Sequence, residues 1–132
     1  TLGQSVDFVF DCIKTMWGGE IFVPKIPSYK VTDLVKAISP KSKVNFIGIR
    51  PGEKIHEEMI SLDESNNSIE FKDYFVIVPN SKFLKWDKKK YISKHKNCKN
   101  FKNTNSYNSK NNEKFLTPQE INKILDKNKT IF

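Results

Sequence analysis

Arginine is almost missing from this 132-residue chain: a single one, Arg50, stands against 22 lysines. Cysteine is nearly as scarce. Cys12 and Cys98 lie far apart and neither belongs to a CxxC pair, which argues against a disulfide framework and fits a reducing, cytoplasmic setting. No long apolar run exists either. The longest, Tyr74 to Val78, falls far short of the roughly 20 residues a membrane span needs. No basic, apolar, small-residue leader opens the chain. Two tempting motifs are incomplete. Gly48 to Lys54 (GIRPGEK) lacks the GK[ST] ending of a phosphate loop, and His56-Glu57-Glu58-Met59 is followed by Ile60 where a zinc-protease helix needs its second histidine. His95 and Cys98 sit among lysines that would repel a cation, so no metal site is expected.

What is present is unevenly distributed. Thr1 to Asn80 holds 9 basic and 11 acidic residues, a net of −2, whereas Ser81 to Phe132 holds 14 lysines and 4 acids, a net of +10. The basic character therefore belongs to the tail, as a solvated arm or a weak polyanion contact. Texture divides the chain into a patterned region, 1–80, a flexible Lys/Asn-rich linker, 81–105, and a closing segment with a terminal helix, 106–132.

Val6, Val9, Phe10, Ile13 and Trp17 predict an amphipathic helix over 2–16, closed by Gly18-Gly19. Glu20 to Pro24 reads as a strand. A helix resumes through Val31, Leu34, Val35 and Ile38 and stops before Pro40. Lys43 to Ile49 reads as the next strand, Arg50-Pro51-Gly52 as a turn and Glu53 to Met59 as a short helix. Ser61 to Ser68 reads as loop, and Ile69 to Val78 as a hairpin around Lys72-Asp73. Thr117-Pro118-Gln119-Glu120 is a capping box that opens the last helix, whose buried face is Ile121, Ile124 and Leu125. This order indicates an α/β layer arrangement, in which two or three strands do not close a sheet alone.

Arg50 is the most informative residue. A planar guanidinium offers a fixed fork of donors that matches paired phosphate oxygens, which a lysine cannot copy. It stands at an expected strand end, where α/β proteins bind ligands. Glu53, three residues on, is placed to accept from two vicinal ribose hydroxyls. The plainer alternative is a surface arginine paired with Glu53 or Glu57, and an acid serving the helix dipole. From these residues alone, both readings stand.

Three stretches carry a resemblance: Gly19 to Ile38 (GEIFVPKIPSYKVTDLVKAI), Ile47 to Ile60 (IGIRPGEKIHEEMI) with Asp63-Glu64-Ser65, and Tyr107 to Glu120 (YNSKNNEKFLTPQE). They resemble the C-terminal half of the inverting UDP-N-acetylglucosamine 4,6-dehydratases, soluble members of the extended short-chain dehydrogenase/reductase superfamily. The resemblance implies the C-terminal substrate-binding portion of an extended Rossmann-type fold, incomplete without its N-terminal sheet, with NADP held by that missing domain. It implies a UDP-sugar substrate gripped by Arg50 at the diphosphate and Glu53 at the ribose, and a homo-oligomer when intact. The implied product is a 4-keto-6-deoxy sugar with inversion at carbon 5, feeding pseudaminic acid or related surface glycans. The superfamily's GxxGxxG loop and its YxxxK pair are absent, so no catalytic or cofactor-binding residue is expected in this chain, which should be inactive alone. The chain begins with Thr1 rather than Met and is expected to open on a helix already under way, as a fragment would.

Two alternatives accompany this reading. A UDP-hexosamine 4-epimerase, or another polysaccharide-biosynthesis member, is not separated from it by the residues present, because those around the reacting sugar carbons are expected mostly from the missing half. A basic module using Lys82 to Lys102 on nucleic acid or an anionic surface belongs to a different class, and nucleic acid is the less favoured partner because no recognition motif accompanies the lysines.

Overall fold

The computed structural model describes residues 1–80, 84–101 and 106–128. The ends of the expected linker, and with them Lys82 and Lys102, lie outside the described residues. The chain divides into two compact units, Thr1–Lys25 with Glu58–Asn111, and Ile26–Glu57 with Asn112–Phe132.

The first unit opens with α1, Leu2–Thr15, started by a Thr1/Gln4 capping box. β1, Ile21–Pro24, follows. β2, Glu58–Ile60, leads into α3, Leu62–Ser65 (α2, Val31–Ile38, lies in the second unit), and then β3, Ser68–Glu70, and β4, Tyr74–Ile77. The stretch expected as linker contributes α4, Lys88–Lys94, and β5, Lys99–Asn100. β6, Tyr107–Asn108, completes the unit. Four strands form an antiparallel sheet in the order β1-β4-β3-β5, and β2 pairs with β6.

Strand alternation sorts the side chains of β4 onto two faces. Phe75 and Ile77 join Val23, Ile60 and Phe101 in one core cluster. Val76 and Val78 join Ile69, Phe71 and Tyr91 in the other. An aromatic group closes the second cluster, with Tyr91 between Trp17, at 5.0 Å between ring centroids, and Trp86, at 4.7 Å. Gly19 is needed where the chain folds over it: a Cβ there would meet Leu84 Cδ1 at 2.7 Å, and its φ is +86°.

The second unit holds α2, Val31–Ile38, and α5, Pro118–Asn128, which pack on each other and bury Ala37 and Ile121. The expected capping box is formed: Thr117 Oγ1 accepts from Glu120 N–H at 3.3 Å, and Glu120 Oε2 accepts from Thr117 N–H at 2.8 Å. A parallel bridge ties Ser28 to Phe115, and the Asn112 amide donates to Ile26 O at 2.7 Å and Ser28 Oγ at 2.9 Å.

Three local expectations are corrected. Residues 43–49 form no strand. No described strand lies alongside to complete a ladder, Gly48 takes φ +85°, and Phe46 and Ile47 stay 80% and 73% exposed. Glu53 to Met59 forms no helix. Its last residues enter β2 instead, because Ile60 is fully buried in the core and Asn108 and Tyr107 supply a pairing partner. The expected loop 61–68 contains α3, opened by Ser61 and Glu64 in a reciprocal capping box and closed by Ser65, which is buried.

Candidate functional site

Arg50 and Glu53 lie in a tight turn of the second unit. Gly48 and Gly52 flank Arg50 with φ of +85° and +84°, a conformation that side chains with a Cβ disfavour. Within the turn, Glu53 N–H donates to Arg50 O at 3.0 Å, and Arg50 N–H donates to Glu53 Oε2 at 2.8 Å. The carboxylate is thereby fixed by backbone rather than by a helix. Its other oxygen, Oε1, stands 4.0 Å from Arg50 Nε.

The two candidate residues are brought together, and the ion pair of the plainer reading is formed. It is long, and the side chains are 72% and 52% exposed, so solvent screens it and it holds the guanidinium weakly. The exposed Arg50 side chain is accessible to other oxygens. Beside the turn is an open concavity of ≈ 530 Å³ lined by Ile49, Gly52, Glu53, Lys54, Ile55 and Glu57. Arg50 borders it in sequence but is not among its lining residues. Lys54 carries no signal in the sequence, as one lysine among 22.

Among the described residues no group of three or more His, Cys, Asp or Glu side chains could hold a metal ion. Cys98 Sγ donates to His95 O at 3.2 Å and Ile92 O at 3.8 Å, and burial pushes its thiol up from the ordinary value. That thiol is a poor nucleophile. No helix among the described residues is long and apolar enough to cross a membrane. No described strand runs through a glycine-rich turn into a helix, so these residues do not fit a dinucleotide cradle.

Comparison with known proteins gives this turn a context. The chain is 41% identical over 127 residues to the inverting UDP-N-acetylglucosamine 4,6-dehydratase of Campylobacter jejuni subsp. jejuni serotype O:2, covering 96% of this chain and 38% of that enzyme. It is 33% identical to the uncharacterized membrane protein MJ1061 of Methanocaldococcus jannaschii, covering 95% of this chain and 36% of that one. It is 29% identical to the UDP-glucose 4-epimerase of Rickettsia massiliae, with coverage of 95% and 36%. The X-ray structure of Pen from Bacillus thuringiensis superposes with a TM-score of 0.74 at 27% identity, over 98% of this chain and 37% of that chain. The chain thus spans little more than a third of the length of these relatives, and its mixed α/β fold corresponds to part of theirs. The family model described as polysaccharide biosynthesis protein matches residues 1–79, which include the whole Arg50 turn. On that match this chain belongs to the polysaccharide biosynthesis protein family.

Proposed function

We propose that this chain is the nucleotide-sugar-gripping part of a UDP-N-acetylglucosamine 4,6-dehydratase, with Arg50 clamping the diphosphate and Glu53 accepting from the ribose hydroxyls. One observation carries the reading. The Arg50 turn fixes the Glu53 carboxylate by a backbone hydrogen bond of 2.8 Å, while the Arg50 side chain is exposed and only weakly paired. A fork held that loosely can leave Glu53 and meet paired phosphate oxygens at small cost. Identity of 41% to an inverting dehydratase supports the choice of reaction.

In this reading NADP is bound by a part of the protein that this chain does not contain, because the residues present lack both the GxxGxxG loop and YxxxK. The chain alone then binds the nucleotide end without turnover. Its setting is the cytoplasm, its intact form a homo-oligomer, and its product a precursor of pseudaminic acid or a related surface glycan. A 4-epimerase is the second reading, favoured by the 29% identity to a UDP-glucose 4-epimerase over 129 residues.

The test is a UDP titration of the protein joined to its cofactor-binding part, with Arg50→Lys alongside. Lysine keeps the charge and loses the fork, so a loss of about 1–3 kcal/mol is expected. Unchanged affinity removes Arg50 from the site. Product analysis with UDP-N-acetylglucosamine separates the readings: loss of water marks a dehydratase, and a 4-epimer marks the alternative.

A further inference from the structure

The first unit contains a concentration of charge that the Arg50 turn does not explain. Lys25, Lys72 and Lys99 share the wall of a concavity of ≈ 300 Å³ with Glu70, Asn97 and Cys98. The sheet register builds this arrangement. Glu70 of β3 faces Lys99 of β5 across one ladder and Phe75 of β4 across the other. Lys25 continues β1, held by its N–H donating to Asp73 O at 2.9 Å. Its ammonium crosses the Phe75 ring, 4.7 Å from the centroid, to reach Glu70 Oε1 at 2.8 Å. Lys99 Nζ takes the other carboxylate oxygen at 3.3 Å.

Each lysine ammonium has three donors, and Glu70 engages one from Lys25 and one from Lys99. Lys72 is the third lysine of the wall. The wall therefore draws on three lysines against one glutamate, and the carboxylate spaces two of the ammoniums rather than neutralising the set. Lysine is a point-charge binder that suits a compact oxyanion better than a planar one. The Cys98 thiol is turned to backbone carbonyls and takes no part.

We propose that this concavity is an oxyanion site that takes a phosphate group between Lys25, Lys72 and Lys99, with Glu70 as the strut that holds two of the ammoniums apart. The phosphate is either free or the phosphoryl end of a small metabolite. The inference does not depend on the Arg50 clamp, since no residue is shared.

The test is a side-chain ammonium and backbone NMR titration of the protein joined to its cofactor-binding part, with inorganic phosphate at constant ionic strength. Saturable shifts at Lys25, Lys72 and Lys99, with Lys88, Lys89 and Lys90 unmoved, are expected. Equal shifts over all these lysines indicate only diffuse screening and overturn the site, as does the absence of shifts. Lys99→Met, on an exposed side chain, should weaken phosphate binding about tenfold. Glycerol phosphate in a second titration distinguishes the sources. Matching shifts mark a phosphoryl site, and shifts with inorganic phosphate alone mark a free-phosphate site.

Discussion

Tyr91 is fully buried, yet its hydroxyl has no hydrogen-bond partner among the described residues. Leaving a hydroxyl dry and unpaired costs free energy, so Tyr91→Phe should be neutral or stabilising by up to about 1 kcal/mol in urea denaturation. Burial, with the charges of Tyr74 and Glu20 adding to it, pushes the Tyr91 phenol well above the ordinary tyrosine value. The contribution is fully present below the ordinary value of about 10 and is lost as pH rises from there through the folded-state value. Alkaline destabilisation should therefore be shallower in Tyr91→Phe than in the parent, and equal slopes would contradict this account. Glu70 works in the opposite sense. Burial acts to raise its carboxyl, but hydrogen bonds and charge from Lys25 and Lys99 outweigh that and hold it below the usual value. Its contribution is present at neutral pH and is lost as pH falls through the folded-state value, so Glu70→Gln should flatten the acid limb of a stability profile.

Among the elements, capping boxes show how a local code is read. Thr117 and Glu120 were legible because a helical apolar period follows them. Ser61 and Glu64 carry the same S-x-x-E spacing, but α3 lasts only four residues and leaves no period to notice. Thr117→Ala should lower the opening free energy of the α5 amides by about 1 kcal/mol in hydrogen exchange. α1 shows a different limit of local reading. Its stripe is as periodic as the sequence predicts, yet Leu2, Val6, Val9, Phe10 and Ile13 are all at least 46% exposed. Periodicity identifies the apolar face of a helix but not what covers it. Phe10→Lys with Ile13→Glu should reduce binding of a hydrophobic dye to this chain. Because both side chains are exposed, the pair should cost no more than about 1 kcal/mol in urea denaturation.

For the molecule as a whole, the two units differ in how much they bury. The first carries two apolar clusters on the faces of one sheet, whereas Ala37 and Ile121 are the buried hydrophobics of the second among the described residues. Local stability follows buried contact, so β3 and β4 amides should exchange much more slowly than those of α2 and α5. Uniform protection across both units would show instead that they open together. The sequence by itself determined the elements whose code is local: α1, β1, α2, the 69–78 hairpin and α5, each announced by period, cap or turn residues within a few positions. It also singled out Arg50 and Glu53 by residue type and spacing. Only tertiary structure decided that 43–49 is not a strand, that 58–60 is one, and that Lys25 and Lys99 meet on Glu70. The reason is physical. A helix satisfies its own backbone within four residues, but a strand needs a partner, and an ion pair closed over 45 residues leaves no trace in the spacing of either half.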